Sequence, residues 1–172
     1  MKNFYRWAIA GLIAAQLPLL AAKSSVAQPA TGFECRTTDG VHFTVALSQA
    51  GRASEPIVVW TSDAFSQAGY PPARRCQEVT ARLNDLLQNN GRSLSGLYLT
   101  VGRVNSQSVV CTVNSTRAGC NSTNVLFTLS GANSRNPEEV LYSLSSRMSG
   151  TSIQESGGIP YVNLEQLVNQ HF

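Results

Sequence analysis

Residues 57–87 read IVVWTSDAFSQAGYPPARRCQEVTARLNDLL, and the fold class turns on how this stretch divides. It opens with Ile57-Val58-Val59-Trp60, a continuous run of β-branched and aromatic residues that predicts a strand covered on both faces and central in a sheet. Thr61-Ser62-Asp63 is a turn, Phe65 a short apolar contact, and Gly69-Tyr70-Pro71-Pro72 a second turn. Pro72 suits the first position of a helix, where the missing N–H is not needed. From there to about Asn90, Cys76, Val79, Leu83, Leu86 and Leu87 recur at helical spacing, and Gly91 supplies the stop. A buried strand followed by an amphipathic helix, with strand signals on either side, predicts an α+β domain.

Two arginines interrupt this simple picture. Arg74 and Arg75 fall in the first turn of the helix, where its dipole disfavours cations, so their placement needs a partner: a carboxylate, the ring of Trp60 or Tyr70, or an anionic ligand. Trp60, Tyr70, Arg74 and Arg75 are therefore the candidate partner-binding residues.

Upstream, the Asp39-Gly40 turn signal joins the segment from Gly32 to Arg36 to VHFTVALS (41–48), which alternates strictly, and together these predict a hairpin. Val41, Phe43, Val45 and Leu47 share one face, the expected core side; His42, Thr44 and Ala46 share the other, expected to face solvent. Residues 48–56 are polar and read as a loop. Downstream, residues 97–104, 108–113 and 124–129 predict three strands of an antiparallel meander, with Gly102 as a bulge. Asn136-Pro137-Glu138-Glu139 has the cap, proline and acid of a helix start, and that helix is expected to stop near Gly150, followed by a loop. Tyr161-Val162 predicts a short edge strand, and Asn163 the start of a last short helix.

The first 27 residues carry Lys2 and Arg6, an apolar run from Trp7 to about Ala22, and small residues at Ser25 and Ala27. That layout predicts a signal peptide cleaved after Ala27; the alternative is an uncleaved anchor, although the run is short of the roughly 20 residues that span a bilayer. Residues 28–32 read as a flexible lead-in and 33–172 as one domain. Of the 172 residues, 145 then remain, enough for a single core.

Removing the leader also removes both lysines and Arg6, leaving ten arginines against ten acids, so the basic balance of the whole chain belongs to the export signal. No basic run remains for nucleic acid. Without lysine, Schiff-base chemistry, a Ser-Lys dyad and a phosphate-loop lysine are excluded. Cys35, Cys76, Cys111 and Cys120 all lie in the exported part, and an even count in an oxidising compartment predicts two disulfides. Three pairings are possible; spacing favours Cys111 with Cys120, which leaves Cys35 for Cys76. A metal site finds no Cys-x-x-Cys spacing and only His42 and His171 as further ligands, and no cofactor motif is present.

Residues 91–96, GRSLSG, miss the nucleophile-elbow pattern because Ser95 stands in the last glycine's place, and two histidines give a Ser-His-Asp triad few ways to form. A carboxylate pair is set by space, not by spacing. Asn114-Ser115-Thr116 and Asn121-Ser122-Thr123 have the form of glycosylation sequons but read as polar turn residues.

Taken together, Phe33-Glu34-Cys35, Ile57-Val58-Val59-Trp60 followed by Phe65, Pro72-Ala73-Arg74-Arg75-Cys76-Gln77-Glu78-Val79 with Arg82, Val109-Val110-Cys111, Gly119-Cys120 and Leu126-Phe127-Thr128-Leu129 resemble the cyanobacterial circadian oscillating polypeptide family, the twenty-three-kilodalton class. The resemblance implies an exported cyanobacterial protein peripheral to a membrane, with no defined activity. The resulting expectation is an α+β domain with an antiparallel sheet of five or six strands, two main helices packed on one side and two disulfides. Its expected role is a non-enzymatic binding or structural module in the periplasm, thylakoid lumen or extracellular space, with an envelope protein, lipid or glycan as partner. Two other readings stay open: a hydrolase using a carboxylate pair, and a protease-inhibitor-like protein presenting the Cys111 to Cys120 loop.

Overall fold

Asp39 and Gly40 both adopt positive φ, 50° and 77°, the backbone of a two-residue hairpin turn, and they join β1 (Ala30–Thr38) to β2 (Val41–Ser48). The computed structural model describes residues 29–145 and 160–172. The expected signal peptide, the end of the second main helix near Gly150 and the loop after it lie outside the described residues. β1 begins at Ala30, which pairs with Ser48 and is buried, so the expected flexible lead-in is strand from that point. β3 (Val58–Trp60) adds to β2 and closes a three-stranded antiparallel sheet, order β1-β2-β3. It is an edge strand with Val59 52% exposed, not the central strand its composition predicted.

After β3 the chain makes a single 3-10 turn (Ser66–Ala68) and enters α1 (Pro72–Asn89) with Pro72 at its start. Cys76, Val79, Thr80, Leu83 and Leu87 form its buried face. A second hairpin follows: β4 (Tyr98–Val104) and β5 (Gln107–Val113) turn through Asn105 and Ser106, again at positive φ. β6 (Val125–Thr128) pairs with β5, and β7 (Val162–Asn163) with β4. The second sheet is thus antiparallel with order β6-β5-β4-β7. Short α2 (Gly131–Arg135), α3 (Pro137–Ser145) and α4 (Leu164–Gln170) complete the described elements; the Asn163 side chain caps α4 by accepting from the Gln166 N–H at 2.9 Å.

The α+β class, the antiparallel pairing and the two disulfides, Cys35–Cys76 and Cys111–Cys120, match the expectation. Strand count and layering do not: the described residues form seven strands in two sheets and four helices, in place of one sheet of five or six strands with two helices on one side. The physical reason lies in α1. Asn84 occupies the outer edge of β1, accepting from the Phe33 N–H at 2.8 Å and donating to the Phe33 carbonyl at 3.0 Å. Arg82 and Arg75 donate to the carbonyls of Leu126 and Thr128 on the outer edge of β6, at 2.7 and 3.2 Å. Two strand edges that a merged sheet would need are taken by helix side chains, which also protects them from pairing with another chain.

The face of β2 expected to meet solvent is the one that packs under α1, although Val45 on the expected core face is buried as well. Thr44 and Ala46 are fully buried beneath α1, while Val41 is 39% exposed. Small side chains let the helix approach closely enough for the Cys35–Cys76 bridge. The Thr44 hydroxyl is satisfied there, accepting from Trp60 Nε1 at 3.1 Å and lying 3.3 Å from Thr80 Oγ1. A single core joins Phe33, Ala46 and Trp60 of the first sheet, the buried face of α1, Leu99, Val101 and Val110 of the second, and Leu141, Leu164 and Leu167 of the later helices.

The opposite face of the second sheet lies under the Cys111–Cys120 loop. A Cβ added at Gly102 would stand 2.9 Å from Cys120 Cβ, and Tyr161 donates its hydroxyl to the Ala118 carbonyl at 2.9 Å. Gly102 keeps regular register with Val109; it is not a bulge but the floor on which the disulfide rests.

Candidate functional site

Between α1 and β6 runs a groove of about 710 Å³. Its helical wall carries Arg75, Glu78, Arg82, Asp85 and Asn89, the i, i+3, i+7, i+10, i+14 positions of one stripe, adjacent to the apolar stripe that enters the core. The opposite wall is the outer edge of β6 with residues 122–124 before it, and Phe65 and Tyr70 stand at one end. In β6 the amide of Leu129, one residue beyond the strand, bonds the Ser108 carbonyl, so by strand alternation the peptide groups of Leu126 and Thr128 face the groove.

Arg75 is held on all sides. Its guanidinium lies 4.9 Å from the Trp60 ring centroid and 5.0 Å from that of Phe65, and it donates to the carbonyls of Ser62 and Thr128 at 3.4 and 3.2 Å. Burial pulls its pKa down from the ordinary arginine value, but arginine stays charged in proteins. Its side chain makes no ion pair among the described residues, whose salt bridges are Arg36–Glu34, Arg74–Glu78 and Arg82–Glu78. Ring faces and carbonyl dipoles offset its desolvation in place of a carboxylate.

Arg74 behaves differently. It stacks on Tyr70 at 4.4 Å, donates to Glu78 at 2.8 Å and to the Gly69 carbonyl at 3.0 Å. The hydrogen bond to Glu78 holds its pKa above the ordinary value. Glu78 also faces Arg82 at 3.7 Å, so the middle of the groove is locally neutral.

Of the four residues singled out from the sequence, Arg75 and Tyr70 line the groove. Trp60 is buried behind Arg75 and meets Phe127 edge-on at 5.3 Å. Arg74 does not line the groove. The four cysteines are structural: one bridge joins β1 to α1, and the other closes a loop that folds back across the second sheet. Sequence reasoning missed Glu78, Arg82, Asp85 and Asn89 as wall residues, although their spacing from Arg75 was a signal in plain view.

A family model described as circadian oscillating protein COP23 matches residues 32–169. No curated protein and no solved structure matches the chain.

Proposed function

The chain belongs to the family of the circadian oscillating protein COP23, and for this member we propose an exported, non-catalytic binding module whose ligand occupies the groove between α1 and β6. The observation that carries the proposal is Arg75: a cation, half-buried between two aromatic rings, on a groove wall, with no carboxylate partner among the described residues. A charge kept in that position is a ready electrostatic anchor. Two disulfides support an oxidising compartment such as the periplasm, the thylakoid lumen or the cell exterior, and with the apolar leader they support export; a place at the periphery of an envelope membrane rests on the family resemblance alone. The groove acid Glu78 is held between Arg74 and Arg82, which balances its charge. The Cys111–Cys120 loop is seated at its end, with Cys120 against Gly102 and the Ala118 carbonyl bonded to Tyr161, and it carries no feature comparable to Arg75.

The test is amide chemical-shift mapping of labelled protein, lacking residues 1–27, against fractions of its native envelope. Shifts concentrated at residues 75–89 and 125–128 support the proposal. Shifts confined to other surfaces, such as the exposed face around Val41 and Val59, overturn it.

A further inference from the structure

We propose that the Cys111–Cys120 disulfide is a redox latch on the groove: closed, it holds residues 122–124 in place as a wall, and reduction by a protein dithiol releases them. Ser122, Thr123 and Asn124 line the groove on the β6 side, together with Thr112. Asn124 links this wall to the bridge. Its side chain donates to the Gly119 carbonyl at 3.0 Å and accepts from the Asn121 N–H at 2.8 Å, and its own carbonyl accepts from the Thr112 N–H at 3.0 Å. Gly119 precedes Cys120 and Thr112 follows Cys111, so each of these anchors is the direct neighbour of a bridged cysteine. Within the wall, Asn121 Oδ1 accepts from the Thr123 N–H and hydroxyl at 2.8 and 2.6 Å, which makes 121–124 one hydrogen-bonded unit.

Reduction forces this unit to move. Bonded sulfurs lie about 2 Å apart, whereas two thiols part to roughly 3.5–4 Å, the contact distance of unbonded heavy atoms. Cys111 is fully buried within β5 and has no room to retreat. On the sheet side Cys120 lies against Gly102, where an added Cβ would find only 2.9 Å to Cys120 Cβ. The displacement therefore passes outward through Cys120 to Gly119, and a shift of roughly 1.5–2 Å takes the Gly119 carbonyl beyond hydrogen-bonding reach of Asn124. Tyr161 restrains the loop at Ala118, which concentrates the change on residues 119–124.

Of the two bridges, this one is placed for exchange. Cys35 and Cys76 pack with the core, whereas Cys111 and Cys120 lie outside it. Cys120 is half-exposed, and beside it a Cβ added at Gly119 would meet nothing within 4 Å, so an approaching thiolate has open space. That thiolate attacks Cys120 Sγ and forms a mixed disulfide, while Cys111 leaves and takes up a proton. The second thiol of the reductant then attacks its partner sulfur, freeing Cys120 as a thiol and leaving the reductant as a disulfide. The groove with its wall released is expected to lose affinity, a consequence that rests on the groove being the contact surface; the latch does not.

The experiment treats oxidised, labelled protein lacking residues 1–27 with dithiothreitol, a small dithiol. Free thiols are trapped with N-ethylmaleimide over time and mapped by peptide mass, while amide spectra follow the same samples. Cys111 and Cys120 are expected to open roughly tenfold or more faster than Cys35 and Cys76. In that interval the amides of β1 and α1 keep their positions, and those of Thr112, Asn121, Thr123 and Asn124 shift and exchange faster. Asn124→Asp keeps the acceptor for the Asn121 N–H but loses the donor to Gly119, so its 121–124 amides are loosened with both bridges closed and change little further on reduction. Earlier or simultaneous opening of Cys35–Cys76, or opening of Cys111–Cys120 with the 121–124 amides unmoved, overturns the latch. Envelope fractions added before and after reduction separate the two readings. Groove shifts in the oxidised protein alone support both; equal shifts in both states overturn control of binding by the bridge. No groove shift in either state, with 121–124 still released by the dithiol, overturns the contact reading and leaves the latch standing.

Discussion

The side-chain amide of Asn84 makes two hydrogen bonds to one residue, Phe33, taking its N–H and giving to its carbonyl. In effect a helix side chain stands where a fourth strand of the first sheet would begin. Phe33 is itself buried, so removing the amide strands both a donor and an acceptor. Asn84→Ala is expected to cost about 1–3 kcal/mol, read as a lower urea midpoint with an unchanged slope and as faster hydrogen exchange at the Phe33 amide. Asn84→Asp keeps the acceptor but turns an oxygen toward the Phe33 carbonyl, so it should not restore stability.

Adjacent arginines should separate cleanly by substitution. Arg75→Ala removes two carbonyl bonds and a ring sandwich and is expected to destabilise by about 2 kcal/mol or more, a fall of several degrees in Tm. Arg75→Lys should not rescue it, because an ammonium cannot fork between Ser62 and Thr128 while lying flat between rings. Arg74→Ala, at an exposed site, should leave Tm nearly unchanged. Equal losses at the two positions, measured by thermal unfolding, contradict this account.

The two disulfides differ in the chain they close, 41 and nine residues of separation. In the chain-entropy model the longer closure is worth about 4 kcal/mol and the shorter roughly 2–3. Replacing Cys35 and Cys76 together by serine should therefore lower stability more than replacing Cys111 and Cys120. The longer bridge also joins β1 to α1, so its loss should raise hydrogen exchange along both, which amide exchange resolves residue by residue.

What could be read ahead of the structure followed local chemistry. Asp39-Gly40 gave the first hairpin because two residues at positive φ leave few alternatives; Pro72 and the Cys76-Val79-Leu83-Leu87 stripe gave α1 nearly to the residue. The β2 faces could not be assigned that way. Alternation showed that Thr44 and Ala46 share a side, but it could not show that a helix tied on by a disulfide would select the smaller side chains. Division into two sheets was hidden for a related reason: it depends on Asn84, Arg75 and Arg82 reaching strands 51, 53 and 44 positions away in sequence. The groove follows from the same long-range bonds. Its helical wall was legible as a spacing from Arg75, but only β6 on the other side makes that stripe a site.

Gly102 offers the sharpest test of how the second disulfide is seated. Its backbone is not in the left-handed region, so only space argues for glycine, and a Cβ there would stand 2.9 Å from Cys120 Cβ and 3.0 Å from Cys120 Sγ. Gly102→Ala should therefore cost about 1–3 kcal/mol through overpacking. In a background with Cys111→Ala and Cys120→Ala the loop is no longer tethered and can lift away, so the same substitution should cost much less. The double-mutant cycle is then expected to show a coupling of about 0.5–3 kcal/mol. Strict additivity would mean that the loop keeps its place on the sheet without the bridge, held by the Tyr161 hydroxyl on the Ala118 carbonyl; adding Tyr161→Phe to the cycle separates the two restraints.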